Sequence, residues 1–313
     1  MLYLAPIIII GGQGGSPFDF TGITNGATLK KIRVWVGGWQ VKALKVWLTD
    51  DQSKQFGIPA GDYSEFTFED GEQITSLSLW DNGAGTRLGA IKFGTNRRRE
   101  FFAYMTEWPL KKEHQVDTGS GICMGIKGGS GTDIDRLGFV FINTIKSTVL
   151  TKVQYTFHQL VPSVAVEKIG SMTYQNTFTA PQEYKTKTSM KITEKFSWSV
   201  PNKMSSTFKM KVHAGIPEVV ENKTGFSYKL GSESTYDLEN TEEKTELINF
   251  TVNIPPGKTV KADITIGQAP VDLPYTGTVK ITCLDDSVLE IPTSGTYKGL
   301  TYTSAKAGVK ELP

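Results

Sequence analysis

Cysteine is nearly absent from this chain: Cys123 and Cys283 are the two among 313 residues. So few, so far apart, they exclude a disulfide framework and read as buried thiols in different domains. Histidine is as scarce, and His114, His158 and His213 show neither metal-ligand spacing nor a Ser or Cys partner that would make a nucleophile. No catalytic centre, metal or cofactor is expected. No run of 18 apolar residues occurs, so no transmembrane helix is encoded. The formal net charge is only +2, and the one dense basic cluster, Arg97–Arg99, runs straight into Glu100, Phe101 and Phe102. It reads as a solvated turn, and no nucleic-acid partner is expected. Helical apolar periodicity over three turns is also missing, which leaves an all-β chain. The apolar opening, Met1 to Ile10, lacks the basic start of a signal peptide and reads as a buried first strand.

Glycine is abundant, with 32 residues. In the first half it punctuates short β-type runs: Gly11–Gly15, Gly37–Gly38, Gly83–Gly85 and Gly128–Gly131 separate Ile32–Val36, Ala43–Leu48, Thr75–Trp80 and Leu137–Ile142. Short strands at regular spacing between turn signals suggest a sandwich or barrel-like domain. Past about residue 145 the strands lengthen and fill with Thr, Ser and Lys. The domains are therefore placed at 1–146 and 147–313, with the boundary between Asn143 and Thr151. Strands of the second kind bury little on either face and suit an elongated module, whose edges need protection.

Ser206 to Leu238 alternates apolar and polar residues on both sides of a turn-like stretch. On the first limb Phe208, Met210, Val212, Ala214 and Ile216 fall on one face and Thr207, Lys209, Lys211 and His213 on the other. On the second, Phe226, Tyr228 and Leu230 oppose Ser227, Lys229 and Gly231. Strand side chains alternate with period two, so each limb has one apolar face and one wet face. Gly215 to Gly225 reads as the loop between them, with Pro217, Val219 and Val220 at its tip. Periodicity alone leaves two readings open: a hairpin packed on its own core, or one that enters a bilayer. For the second, limbs Thr207–Ile216 and Phe226–Thr235 match the roughly 9 to 11 tilted residues that span a bilayer core. Unpaired backbone groups in lipid would force such hairpins from several copies into a closed barrel, with Lys209, Lys211, His213, Lys229 and Glu233 facing the lumen.

The glycine loops carry a resemblance. Gly131-Thr-Asp-Ile-Asp135, followed by Leu137-Gly138, resembles the Gly-x-x-x-Asp sugar loop of jacalin-related lectins; Gly11–Gly15 with Ser16–Phe20 is similar to that family's amino-terminal glycine loop, and Ile91–Asn96 to a third stretch. The resemblance covers roughly residues 5 to 145 and implies a β-prism lectin domain. It implies that Asp135 accepts sugar hydroxyls, that Thr132, Asp133 and Ile134 present backbone N–H groups, that Gly14 and Gly15 form the opposite wall, and that the loop with Gly85 and Arg87 reaches outer sugar units. The chemistry agrees, since a carboxylate and close-approaching backbone are what adjacent hydroxyls require. Val36-Gly-Gly-Trp-Gln40 has no aspartate, so a second such site is not implied. Galactose-specific relatives have a freed terminus beside the site; here ten residues precede the loop, which implies mannose-type glycans. Two other motif readings fail. Gly11–Gly15 has no following Lys-Ser or Lys-Thr and is not a P-loop; Asp133 and Asp135 share one loop, whereas a glycosidase needs carboxylates on both sides of the scissile bond. Trp35, Trp39, Trp47 and Trp80 offer faces for sugar stacking, yet aromatics in strands are more often core.

The second half resembles the aerolysin superfamily, in particular natterin-like proteins that join its pore-forming module to a jacalin-type lectin. The residues that carry this are Ala214-Gly-Ile-Pro217 after the alternating strand, Asn253 to Val260 with its Pro-Pro-Gly turn, and Val271 to Val279. The resemblance implies a lectin-guided pore former that acts at a target cell membrane, released without a recognisable signal peptide, with homo-oligomers, membrane lipid and surface glycans as partners. Two alternatives stay open: a soluble lectin whose second domain is a structural or oligomerising arm, and a protein that inserts only in acidic compartments, with His213 contributing.

Overall fold

The computed structural model describes residues 1–157 and 160–313; His158 lies outside them. Apart from one helical turn, the regular structure of the described residues is all strand, as the composition led us to expect, and the chain forms two compact units that interleave in sequence. The first comprises Met1–Thr151, Val200–Lys211 and Gly277–Ser294, the second Lys152–Ser199, Val212–Thr276 and Gly295–Pro313. Both cysteines are free, buried, and within the first unit.

Three antiparallel four-stranded sheets build the amino-terminal part of the first unit, residues 10–141. In spatial order one holds Ile10–Gly11, Ile134–Phe141, Cys123–Ser130 and Ser16–Thr21, the next His114–Val116, Ile74–Asp81, Leu88–Thr95 and Glu100–Tyr104, and the last Ser53–Gly57, Val41–Leu48, Leu29–Val36 and Tyr63–Thr67. Each sheet sends one face inward, and Ile32, Leu44, Leu79, Phe93, Ile126 and Phe139 are among the side chains that meet there. This is a β-prism. Period-two alternation explains why its strands read as mixed: Leu44, Val46 and Leu48 are buried while Lys45 and Trp47 between them are only half-buried. The amino-terminal apolar run corrects the expectation of a continuous buried strand. It contributes only Ile10–Gly11 and an isolated bridge from Leu4 to Ile142, with Pro6, which has no N–H to donate, between them.

Arg99 of the basic cluster is structural. Its guanidinium binds the Glu72 carboxylate, which also accepts from Thr95 Oγ1 at 2.5 Å and from the Glu69 N–H at 2.8 Å. Burial pushes the Glu72 carboxyl up, but these donors outweigh it and hold it at about 2 against an ordinary 4.5.

The second unit rests on long ladders. Gln182–Trp198 pairs with Glu239–Ile254 without a break from Gln182 opposite Ile254 to Ser197 opposite Glu239, a ladder about 50 Å long at the usual rise per residue. Ala165–Gln175 and Lys306–Leu312 flank the start of Thr259–Cys283. Its buried apolar side chains are strung along the strands: Val252, Ile254, Val260 and Ala262 form one cluster, with Tyr174 and Phe250 against it, and Ile192, Phe196, Ile264, Ile266 and Leu273 are among the others.

The alternating stretch departs from expectation in three ways. Thr207 and Phe208 are not in a strand; Met204–Thr207 is a single helical turn, and Phe208 is its extended, buried carboxy-terminal cap. The limb begins at Met210. Secondly, most of the expected loop is strand: Pro217–Asn222 pairs with Gly225–Leu230, so the tip is Lys223-Thr224, and Pro217 and Val219 lie in the ladder and are buried. Thirdly, the phase slips by one residue near Gly215. Val212 faces Tyr236 and Ala214 faces Ser234, yet Pro217 faces Leu230, so the inner and outer pairs are one residue out of register. Beyond the slip the apolar face carries Pro217, Val219, Phe226, Tyr228 and Leu230. Val220 stands opposite Ser227 on the other face, and Ile216 sits in the slip itself, its carbonyl accepting from the Gly231 N–H. A one-residue slip moves side chains to the opposite face, which sequence alternation alone does not reveal.

Candidate functional site

Three loops of the β-prism converge on Asp133 and Asp135. The first comes from pairing: Ser16 lies opposite Ser130 and Gly11 opposite Arg136, which brings Gly12–Gly15 over the start of Ile134–Phe141. The Gly12 N–H donates to the Asp135 carbonyl at 2.7 Å. Gly15 has φ of 76°, and a Cβ there would stand 2.4 Å from Asp135 Oδ2; at Gly14 the nearest atom would be Asp135 Oδ1 at 2.7 Å. Only glycine lets backbone lie this close to a carboxylate. The second loop, Gly83–Arg87, is organised from inside by Asn82, a buried amide whose Oδ1 accepts from Ala84, Thr86 and Arg87 N–H groups at 3.2–3.3 Å. The third is the turn Gly131–Asp133, closed by the Gly131 N–H on the Asp133 carbonyl at 3.0 Å. It is braced by Ile58, whose N–H donates to the Thr132 carbonyl at 2.8 Å.

The predicted residues thus come together, with some roles rearranged. Gly14, Gly15, Gly131, Thr132, Asp133 and Asp135 line the cleft, and Ile134 points its side chain into the core. Gly85 is at the open rim, with nothing within 4 Å of where a Cβ would be. Arg87 does not reach outward. Its guanidinium folds in, with Nη1 3.1 Å from Asp135 Oδ1 and Nε 3.6 Å from Asp133 Oδ2. Lys42, which nothing in its local sequence singles out, places Nζ 3.3 Å from Asp133 Oδ1. Two carboxylates and two cations make the cleft nearly neutral, so ligand selection there rests on hydrogen bonds more than on net charge.

One acceptor is left open. Asp133 Oδ1 is buried and has no hydrogen-bond partner, since the Lys42 ammonium is in ion-pair range but outside hydrogen-bond geometry. Buried polar atoms are almost always paired, so this oxygen stands out as a candidate acceptor beside Asp135.

The hairpin of the second unit is fastened at its base. Tyr155 donates its hydroxyl to the Gly215 carbonyl at 2.8 Å and accepts from Trp198 Nε1 at 2.9 Å. Trp198 stacks on Tyr236 at 5.7 Å between centroids, and Tyr297 closes against both Trp198 and Tyr155. Met210, Val212 and Ala214 are buried, Phe226 and Tyr228 half-buried, and Leu230 exposed. Near the tip Glu221 is ion-paired to Lys306.

Comparison with known proteins agrees with this architecture. The crystal structure of lamprey immune protein is 53% identical, covers all of this chain and all of its own, and superposes with a TM-score of 0.97. The chain belongs to the family of lamprey immune protein. Residues 7–140 match the jacalin-like lectin domain family, so the first unit carries a lectin fold, and the rest is a module of long β-strands. Malaysian banana lectin is 24% identical over 45% of this chain and 99% of its own, with a TM-score of 0.37. An aerolysin-like protein of Bombina maxima is 14% identical over 53% of this chain and 99% of its own, with a TM-score of 0.33. No curated protein sequence matches the chain.

Proposed function

We propose that this member of the lamprey immune protein family is a lectin-guided pore former: the β-prism cleft binds mannose-type glycans at a target cell membrane, and copies of the chain assemble and insert the 210–236 hairpin as a transmembrane β-barrel. No catalytic step is involved, and the protein acts from outside the cell it attacks. The observation that carries the reading is the orphaned Asp133 Oδ1 beside Asp135 in a cleft walled by Gly14 and Gly15. Two adjacent sugar hydroxyls match two adjacent carboxylates. The second unit supports the rest of the reading by its form. Its hairpin keeps Val212, Ala214 and Val219 folded away while Leu230 on the same apolar side is exposed, so part of a lipid-facing surface is already in reach of a membrane. Multivalent glycan on a surface concentrates the chain there, which favours assembly.

The test is dye release from vesicles with and without mannose-bearing lipid, with oligomers followed by detergent-resistant gel bands and rings by electron microscopy. Release and rings confined to glycan-bearing vesicles support the proposal. Agglutination without release would replace it with a soluble lectin whose second unit is a structural arm. Release only at acidic pH would move its action to an acidic compartment.

A further inference from the structure

The described side chains include two large aromatics of the first unit that lie in neither its core nor its cleft. Trp39 is 55% exposed and Trp108 is 44% exposed, and their ring centroids are 6.4 Å apart with planes inclined at 53°. In contrast, Trp35 and Trp80 are buried. Holding two indoles in water side by side is unfavourable, and such an exposed apolar pair marks a binding surface more often than an accident of folding.

The pair is built. Trp39 follows Gly37–Gly38 in the turn after Leu29–Val36, closed by the Gly37 N–H on the Gln40 carbonyl at 2.8 Å. The segment carrying Trp108 is tied to the same glycines: Thr106 N–H donates to the Gly37 carbonyl, and Glu107 and Trp108 N–H groups to the Gly38 carbonyl, at 2.8–3.2 Å. A Cβ at Gly38 would stand 2.4 Å from Glu107 Cγ, so a side chain there would push the two tryptophans apart. Two loops of different sheets are thus locked so that their indoles share one patch.

That patch adjoins the sugar cleft through one residue. The Lys42 stem packs under Gly37, where a Cβ would meet Lys42 Cε at 3.0 Å, and the same side chain ends 3.3 Å from Asp133 Oδ1. From the orphaned acceptor to the turn that bears Trp39 is the length of one lysine side chain.

We infer that Trp39 and Trp108 form a stacking platform for the second and third pyranose rings of a glycan whose first ring sits at Asp133 and Asp135. It rests on the cleft's reading as a sugar site. A pyranose has an apolar face of C–H groups and a polar rim of hydroxyls, which suits an indole face better than a carboxylate. Division of labour follows: the cleft selects the ring that offers adjacent hydroxyls, and the platform selects chain length and linkage, because only some linkages turn the next ring face-on to Trp39. The aspartate missing from Val36–Gln40 is then no loss of a site. The same turn recognises sugar by stacking.

The experiment is titration calorimetry of the full chain with methyl α-mannoside and with a branched mannotrioside, for the native protein and for Trp39→Ala, Trp108→Ala and Asp135→Ala. The platform predicts that each tryptophan variant binds the trisaccharide about fivefold to tenfold more weakly, the range expected for one lost aromatic contact, with monosaccharide affinity unchanged. Trp39→Phe should recover most of the loss. Asp135→Ala should lose both ligands. Equal trisaccharide affinity in native and tryptophan variants overturns the platform but leaves the cleft standing; a native protein that binds neither mannoside overturns both. Unchanged trisaccharide binding with weakened adsorption to glycan-free vesicles would assign the pair to the lipid interface instead, and overturn the inference.

Discussion

The two units spend their sequence differently. In the first, strands of two to eight residues bring inward faces from three sheets to one centre, and the core includes residues from every sheet. In the second, strands of 15 residues and more run as ladders in which Thr, Ser, Lys and Glu alternate on open faces, and buried side chains such as Ile192, Ile248, Val252, Ile264 and Leu273 are spread along them. The first unit gathers its apolar side chains at one centre, and the second strings them along its ladders. Packing at one centre holds loops in fixed positions, which a binding site needs.

The contrast can be broken or sharpened by substitution. The largest expected effect is at the cleft: Asp135→Ala should weaken mannoside binding on the order of a hundredfold, the loss of charge-assisted hydrogen bonds, with the far-UV circular dichroism spectrum unchanged. Retained affinity would move the site elsewhere. Next is Leu230→Arg on the exposed part of the hairpin's apolar face. An arginine there is tolerated in water but costs roughly 2–4 kcal/mol in each hairpin at the bilayer midplane. Vesicle release should fail while glycan binding and thermal stability hold, and full release would refute the lipid-facing assignment. Val212 would be a poorer probe, because it is wholly buried in the folded state and a charge there would disrupt the soluble form.

A third substitution tests the first unit's packing. Because the Glu72 carboxyl is held at about 2 in the folded state, its contribution is present above pH 4.5 and disappears as pH falls from 4.5 towards 2. Glu72→Gln should cost roughly 3 kcal/mol at pH 7 and progressively less below pH 4, read from urea midpoints at each pH. A pH-independent difference would mean that the Arg99 pairing is not its source. The smallest effect is Tyr155→Phe, which orphans the Gly215 carbonyl and Trp198 Nε1 and should destabilise the second unit by about 1–2 kcal/mol. Calorimetry should show the loss in that unit alone, with vesicle release beginning at lower temperature. An unaltered release threshold would show that the aromatic base does not restrain the hairpin.

Much of the cleft was legible because it depends on local chain chemistry. Gly131 to Asp135 and Gly11 to Gly15 are contiguous motifs, and their glycines declare where backbone must come close. Lys42, Asn82 and Trp108 were not legible: each enters from a different strand or loop, and nothing in its own neighbourhood distinguishes it from an ordinary surface lysine, turn asparagine or loop tryptophan. Arg87 was found but misdirected, since its spacing gives the loop and not the direction of a long side chain. The hairpin failed at another level. Its limbs alternate cleanly in sequence, yet the slip at Gly215 transfers the apolar face from even to odd positions between Ala214 and Pro217.

The sequence alone determined the all-β class, the glycine-rich loop that carries Asp133 and Asp135, and the existence of an amphipathic hairpin, because these are set by residue type and by periods of a few residues. Only the tertiary structure decided which residues meet. Pairing between distant strands oriented Arg87 and Lys42 onto Asp133, left its Oδ1 without a donor, set Trp39 beside Trp108, and shifted the hairpin's faces at one glycine. Those outcomes depend on packing between segments far apart in the chain, which no local pattern specifies.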